Sequence, residues 1–343
     1  MILTEEKYKE IKGKMFYVSP SKIKPKDCNT PKHIKYNMEH KSPDTPAKRF
    51  GRAFHEFLLE PEKFDKDYAL LKLSLFGDNP KLNKDGSINK VDAFNKSILA
   101  DFTAKNEGKI VLDFDDAESL IKCKESIMSL EDIHTIFRPS HAYVEATFLA
   151  FAQFDENHNF IHIIDMDVDK FLSMMEHEKI RFLPLLTRID YGDKIGRWLS
   201  DLKTVDSIDP KDFSRDCEKY GYHIQVAMEL DVVNAALGLP DEKKYNTFYF
   251  ICVENHEPFD SIYFMPTSMG EDDVRMKFIE AGRIDYITKL EWVQEARITG
   301  KWEGISKFSP YKVHKEDGTL IKNRQIIEID LPAWYYKSNL NLL

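Results

Sequence analysis

The chain predicts an α/β fold with a mixed central β-sheet flanked by helices. Three observations carry this. Helix-periodic segments come first, then strands, a helix, more strands and a closing helix, the order of a layered α/β domain. An apolar run at Leu183–Tyr191 and a second at Arg197–Thr204 flank the turn Gly192-Asp193-Lys194, as a hairpin does. Finally, 343 residues at 42% hydrophobic suffice for one large core.

Residues 1–47 are polar and Lys-rich, with Pro20, Pro25, Pro31, Pro43 and Pro46. They read as a short helix followed by a basic, loop-rich arm, in which Ser19 or Ser21 caps a short helix across Lys22–Lys26. The remainder, 48–343, reads as a single domain. A helix starts with Thr45 as N-cap and Pro46 at the first helical position, carries Phe50, Phe54, Phe57 and Leu58 at helical spacing, and stops at Pro61. Residues 76–92 are turn-rich and predict a mobile loop. Helices are expected over 91–105 and 115–131, the second capped by Asp115 or Asp116. Residues 142–153 read as a strand, Asn157-His-Asn159 as a turn, the stretch to Ile164 as the return strand, and 167–180 as a short helix. After the Leu183–Thr204 hairpin comes one long helix over Phe213–Leu237, ended by Gly238 and Pro240. Strands follow at Tyr245–Val253 and Ser261–Met265, then a charged helix over Asp272–Arg297. The tail, 305–343, shows a turn at Asp317-Gly318 and a strand at Gln325–Ile329.

Composition excludes several classes. No stretch approaches the roughly 20 apolar residues of a membrane span, and the N-terminal residues lack a basic segment leading into an apolar run, so a cytoplasmic protein is expected. Cys28, Cys123, Cys217 and Cys252 are scattered, which predicts reduced thiols and leaves no close spacing for zinc or an iron–sulfur cluster. The net charge is −9, yet residues 1–52 hold 13 Lys and Arg against 6 Asp and Glu, a local +7 on a body of −16. Such a chain can meet phosphates through one face.

The chemistry concentrates in three segments. On a strand, residues two apart share a face, so Asp201 and Lys203 point one way and Leu202 the other; Asp190 on the paired strand can stand beside Asp201. Two converging carboxylates repel and resist burial, and a hard divalent ion such as Mg²⁺ or Mn²⁺ relieves both problems. That ion would polarise a phosphate and acidify a water, while Lys203 would orient the nucleophile and stabilise the charge developing on the phosphorane. Gly51 and His55 share one helical face, and a glycine one turn before the histidine leaves room for close approach. One ring nitrogen of His55 can take the metal while an acceptor holds the other. Tyr222, Gln225 and Glu229 fall on one face of the long helix, apart from an apolar stripe of Ile224, Met228, Val232 and Ala235. Gln225 can reach a base, a phosphate or a water, and Arg52, Thr204 and Tyr222 are further candidates to touch substrate. Glu145, on the strand before the hairpin, is a candidate to join the carboxylates, although Val144, Ala146 and Phe148 alternate with it imperfectly.

Phe50-Gly-Arg-Ala-Phe-His-Glu-Phe-Leu-Leu-Glu-Pro-Glu-Lys-Phe64, Asp201-Leu-Lys-Thr204 and Tyr220-Gly-Tyr-His-Ile-Gln225 resemble the nuclease domain of RecE-type exodeoxyribonuclease VIII. That family belongs to the PD-(D/E)xK superfamily, with the RecB-like and lambda-exonuclease-like nucleases. The resemblance runs from about Ser19 to Tyr336. It implies a restriction-endonuclease-like core and Mg²⁺-dependent degradation of one strand of duplex DNA from an end, 5′ to 3′. It implies His55, Asp190, Asp201 and the backbone carbonyl of Leu202 as metal ligands, and Lys203 as the catalytic lysine. Gln225 matches the motif glutamine, and Glu145 the acidic residue of the earlier strand. It also implies a ring-shaped homo-oligomer and a single-strand annealing protein as partner. Three positions depart from the pattern: Ile189 replaces the proline before the first Asp, Glu229 replaces the tyrosine of Gln-x-x-x-Tyr, and an insert at about 154–182 lengthens the path from Glu145 to Asp190. Asp165 and Asp167 in that insert read as a solvated helix cap. The alternative to an exonuclease is a catalytically weak DNA-end-binding or assembly module on the same fold, which Glu229 and the acidic net charge favour; an iron–sulfur nuclease fails on cysteine spacing.

Overall fold

The computed structural model describes residues 1–24, 30–40, 42–77, 81–84, 89–133, 137, 139–266 and 277–304. The expected turn at 317–318, the strand at 325–329, Cys28 and residues 272–276 of the last expected helix lie outside the described residues.

The N-terminal segment is more ordered than a loop-rich arm. Strand β1 (Ile2–Leu3) is followed by α1 (Glu5–Lys14), α2 (Pro20–Ile23) and α3 (Pro31–Glu39). Thr4 and Thr30 cap the first and third. Pro46 starts a helix as expected, and Pro20, Pro31 and Pro61, read as interruptions, also occupy first-turn positions, where the missing N–H costs nothing. Helix α4 (Pro46–Leu59) has the expected Thr45 cap, and α5 (Pro61–Asp67) restarts directly beyond it. A small parallel pair that sequence reading missed, β2 (Tyr68–Leu70) with β3 (Ile110–Leu112), brackets α6 (Ala93–Lys105). Helix α7 (Phe114–Ser129) is capped by Asp113, not by Asp115 or Asp116.

Strands β4 (Ala142–Phe154) and β5 (Phe160–Ile164) form the expected hairpin. The single helix expected over 167–180 is two short ones, α8 (Val168–Ser173) and α9 (Glu176–Lys179), because Met174 and Met175 are extended and Glu178 caps the Met175 N–H at 3.1 Å. Asp167 caps α8 and Asp165 pairs with the Met1 amino group at 2.9 Å, so the insert packs with β1 and α1 in its own apolar cluster. Strands β6 (Phe182–Asp193) and β7 (Trp198–Val205) follow. The long helix expected over 213–237 is broken into α10 (Pro210–Tyr220) and α11 (Tyr222–Ala236). Gly221 makes the corner with φ 66°, a left-handed conformation that glycine adopts without penalty. Strands β8 (Thr247–Glu254) and β9 (Ser261–Phe264) and helix α12 (Phe278–Thr299) complete the order.

The main sheet runs β1-β4-β6-β7-β8-β9, with β5 beside β4; β7 and β8 are parallel and the other pairs antiparallel. This is the expected mixed sheet. One face packs on α11 and α12 through Val226, Met228, Val233, Tyr286 and Leu290; α2 and α3 add Ile23 and Ile34 to the same core. The other face packs on α4 and α7 through Ala53, Phe54, Leu120 and Leu202. The described part of the N-terminal segment thus shares the main core. Helix α11 sits between the sheet and α12, so it is apolar nearly all round, as a central helix must be. Among the described residues no helix is long and apolar enough to cross a membrane.

Candidate active site

The site forms where β6 and β7 part. Their pairing begins at Asp193↔Trp198 and stops at Tyr191↔Ser200, one step before Asp190 would face Asp201. There the Asp190 side chain replaces the ladder: its Oδ2 accepts the Leu202 N–H at 2.8 Å. On the other side of β6, β4 pairs regularly except at Glu145, between Val144↔Tyr191 and Ala146↔Ile189. Glu145 has φ 46°, a left-handed conformation that costs a non-glycine residue about 1–3 kcal/mol. This twist explains the imperfect alternation around Glu145. Glu145, Asp190 and Asp201 therefore lie in one row across three strands.

Helix α4 closes the row from one face. His55 Nε2 is 2.8 Å from the Leu202 carbonyl oxygen, which can only accept, so Nε2 carries hydrogen. Nδ1 then faces the carboxylates, 3.4 Å from Asp190 Oδ2 and 3.7 Å from Glu145 Oε1. His55, Glu145 and Asp190 present ligand atoms within 4.8 Å of one another. Arg188 Nε donates to Glu145 Oε2 at 2.7 Å and orients it.

Helix α11 closes the row from the other face. Gln225 Nε2 donates to Asp201 Oδ1 at 2.7 Å and to Glu229 Oε1 at 3.0 Å. The Lys203 ammonium pairs with Asp201 Oδ2, and that oxygen is buried with no hydrogen bond of good angle. Lys203 also lies over the Tyr222 ring, 4.5 Å from its centre. The Lys24 ammonium donates to Gln225 Oε1 and sits 5.3 Å from the Tyr222 ring centre.

Charge follows geometry. Burial would lower the His55 pKa, but the charge and hydrogen bond of Asp190, with Glu145, hold it well above the ordinary value of 6.5. Burial raises the Asp190 carboxyl, with Asp201 adding repulsion against the pull of His55. Burial opposes ionisation of Glu145 and Asp201 too, yet His55 and Arg188 keep Glu145 low, and Lys203 and Lys24 keep Asp201 low. Burial works against the charge on Lys203, and Asp201 overcomes it and raises the pKa, so the ammonium stays charged at neutral pH. Glu229 is pushed well above its usual range by burial, then by Asp201 and Asp190.

The structure brings His55, Glu145, Asp190, Asp201, Leu202, Lys203, Tyr222 and Gln225 together. Glu229 is not on a solvated face: with Gln225 it is buried against the sheet. Thr204 is near α4, its Oγ1 3.7 Å from where a Cβ on Gly51 would stand, which is ordinary contact rather than a tight approach. Arg52 is exposed and pairs with Asp44 at 2.8 Å. Sequence reading missed Lys24 and the part played by Arg188. Arg188 shares a strand face with Asp190 and was findable by alternation; Lys24 is 201 residues from Gln225, and no local pattern points to it.

The donor set fits a hard divalent cation. It offers carboxylate oxygens from Glu145 and Asp190 and a histidine nitrogen whose partner nitrogen is held by a carbonyl, with the Lys203-paired carboxylate of Asp201 next in the row. Acid repulsion in the row supplies the reason to bind one.

Residues 174–297 match the family described as a PDDEXK-like domain of unknown function, DUF3799. That stretch holds β6 to β9, both helices of the α10–α11 corner and nearly all of α12, with Asp190, Asp201, Lys203 and Gln225, but neither His55 nor Glu145. The mixed sheet flanked by helices matches a PDDEXK-like fold. Among solved structures, the chain is similar to one described as a "Putative exonuclease" from Eubacterium rectale, at 12% identity over 85% of this chain and 87% of that one, with a TM-score of 0.46. No curated protein matches.

Proposed function

We propose that this chain is a divalent-metal-dependent exonuclease that hydrolyses phosphodiester bonds of linear duplex DNA from an end, 5′ to 3′. The observation that carries the reading is the row Glu145, Asp190, Asp201 across three strands, with His55 above it and Lys203 at its end. His55, Glu145, Asp190 and Asp201 would hold the metal. A bound Mg²⁺ or Mn²⁺ supplies Lewis acidity toward the scissile phosphate and acidifies a water.

The chain's own residues do the rest. Asp201 keeps Lys203 protonated in the metal-free protein, and its ammonium would stabilise the developing negative charge on phosphorus oxygens, where a fixed charge in a poorly solvated site is most effective. Gln225 fixes the Asp201 carboxylate, and Arg188 fixes that of Glu145. Leu202 acts through its backbone: its N–H holds Asp190, and its carbonyl, expected as a metal ligand, instead holds the His55 tautomer that leaves Nδ1 toward the carboxylates. On this reading Tyr222, Thr204 and Arg52 border the DNA. The partners are duplex ends, further copies of the chain in a ring and a single-strand annealing protein, acting in DNA recombination in the cytoplasm.

The alternative of a catalytically weak end-binding module drew support from the acidic net charge and from Glu229 as a charge repelling phosphate. Burial of Glu229 behind Gln225 takes away the second of these. The test is digestion of linear against covalently closed circular duplex, carrying 5′ or 3′ labels, with Mg²⁺ or Mn²⁺. Release of 5′ label first, from linear DNA only, is expected. End binding without nucleotide release under either metal would replace the exonuclease with the binding module.

A further inference from the structure

We infer that Lys24, contributed by the N-terminal segment, is a positioning residue of this site: it fixes the Gln225 amide so that Nε2 holds Asp201. The inference rests on the nuclease reading for its consequence in catalysis, but not for the geometry.

Donors and acceptors around Gln225 fix its amide. An amide can be placed two ways round, and its surroundings choose. Lys24 has only donors to offer, so it demands the carbonyl oxygen of Gln225, and both hydrogens of Nε2 are then turned to Asp201 Oδ1 and Glu229 Oε1. Turned over, the amide would set its oxygen against the ionised Asp201 carboxylate and its NH₂ against an ammonium. Gln225 supplies the hold on Asp201 Oδ1, while the other oxygen is paired with Lys203.

Lys24 is itself held in place. Its backbone lies against the Gly221 corner between α10 and α11, where a Cβ would overlap the Lys24 carbonyl. Ile23 before it is fully buried, and Lys289 Nζ donates to the Ile23 carbonyl at 2.7 Å. The Lys24 ammonium is not drawn there by a strong ion pair. Burial and the charge of Lys203 lower its pKa to about 8, against the pull of Asp201 and Glu229. A lysine held at such a cost to its charge is explained by the hydrogen bond it makes. Behind it, Lys24, Gln225 and Glu229 line a cavity of about 680 Å³ that Lys12, Lys22 and Arg188 share, so the network has water on one side to compete with it.

The test uses the full chain, purified free of metal. Only four glutamines occur in the sequence, so glutamine-selective ¹⁵N labelling resolves the Gln225 side-chain amide, assigned by its disappearance in Gln225→Met. Lys24→Met, which fills the space without a donor, should shift and broaden that amide pair and weaken Mn²⁺ binding by about 10–100-fold, the usual effect of losing a partner behind a ligand. Gln225→Met should weaken it by as much, and the double variant by no more than either single one, because both act through Asp201. Lys24→Gln keeps an N–H donor and should recover part of the loss, which a space-filling role would not give. Melting curves identify any variant that fails to fold, and Lys24→Gln then serves against wild type.

An unmoved Gln225 amide in Lys24→Met overturns the inference. So do additive losses in the double variant, or Mn²⁺ affinity unchanged while the amide moves. If wild type releases no nucleotides, the nuclease reading fails, and the amide and Mn²⁺ measurements still decide the part played by Lys24. Should wild type not bind Mn²⁺ either, the amide alone decides it.

Discussion

The two halves of the site solve the same electrostatic problem differently. On the α4 side, Glu145 and Asp190 face a histidine, and they are half-buried, with Asp190 pushed toward its neutral form by burial and by Asp201. On the α11 side, Asp201 is buried between Lys203 and an amide whose oxygen is held by Lys24, and it stays ionised. The first half is balanced by Arg188 and by a histidine proton that a cation from solution can displace. The second carries its own cations and needs none to fold. A site divided this way can fold without metal and still keep one half open to a cation.

The largest expected effect comes from the self-neutralised half. Lys203→Ala removes the ammonium from a buried carboxylate, and breaking such a pair costs about 3–5 kcal/mol. Nuclease activity should fall by a factor of about 1000 or more, as with loss of a principal electrostatic stabiliser, and melting should fall with it. Lys203→Ala/Asp201→Asn should recover the melting temperature and none of the activity. Calorimetry beside a nuclease assay makes the check. Activity retained in Lys203→Ala would remove the lysine from the chemistry, and stability unchanged in it would mean that the two halves do not differ as described.

The acidic half should behave in the opposite sense. Asp190 ionises at a cost, so Asp190→Asn, whose oxygen can still accept the Leu202 N–H, should raise the melting temperature of metal-free protein at pH 7 by about 1–3 °C, on the order of 1 kcal/mol. Glu145 is stabilised as an anion by His55 and Arg188 against burial, so Glu145→Gln should lower it by a similar amount. That contribution is full above pH 4.5 and is lost as pH falls through the depressed value. His55 has the reverse sign. Its charged form stabilises the metal-free protein below pH 6.5, and this is lost as pH rises through the raised value. Since Mn²⁺ competes for Nδ1 with that proton, Mn²⁺ affinity should climb with pH over the same window, and the climb should flatten in His55→Asn. Titration calorimetry at several pH values measures it; an affinity flat with pH would take His55 out of the metal set.

What could be read in the sequence divides along the same line. Asp190, Asp201 and Lys203 were legible because strand alternation fixes faces locally, and His55 because Thr45-Pro46 fixes the start of α4 and hence its register. Glu145 was only half-legible, since its left-handed φ breaks the alternation that would have exposed it. The α11 half was misread where packing decides. Gly221 looks like one more residue in a helical run until the backbone of Lys24 is set against it, and Glu229 looks solvated until α11 is laid on the sheet. Similarly, prolines in the first 47 residues signal breaks or starts alike, and only the tertiary fit of Ile23 and Ile34 into the core selects starts.

The smallest expected effect tests where DNA meets the acidic half. Arg52 follows Gly51 on α4, one turn before His55, and its guanidinium is exposed with Asp44 at 2.8 Å as partner. Asp44 is held below the usual carboxylate range by that hydrogen bond, but an exposed pair of this kind contributes little to stability. Arg52→Ala should therefore leave melting unchanged within error. If Arg52 exchanges Asp44 for a DNA phosphate, the variant should bind duplex ends more weakly, and the slope of log affinity against log salt should become shallower by about 0.9. Activity at saturating DNA should be kept, because no reacting group is touched. The measurement is anisotropy of a labelled duplex end in Ca²⁺ over a salt series. An unchanged slope would confine Arg52 to its surface pair and move the DNA path off the α4 face, toward Lys12, Lys22 and Arg188 around the cavity behind Gln225.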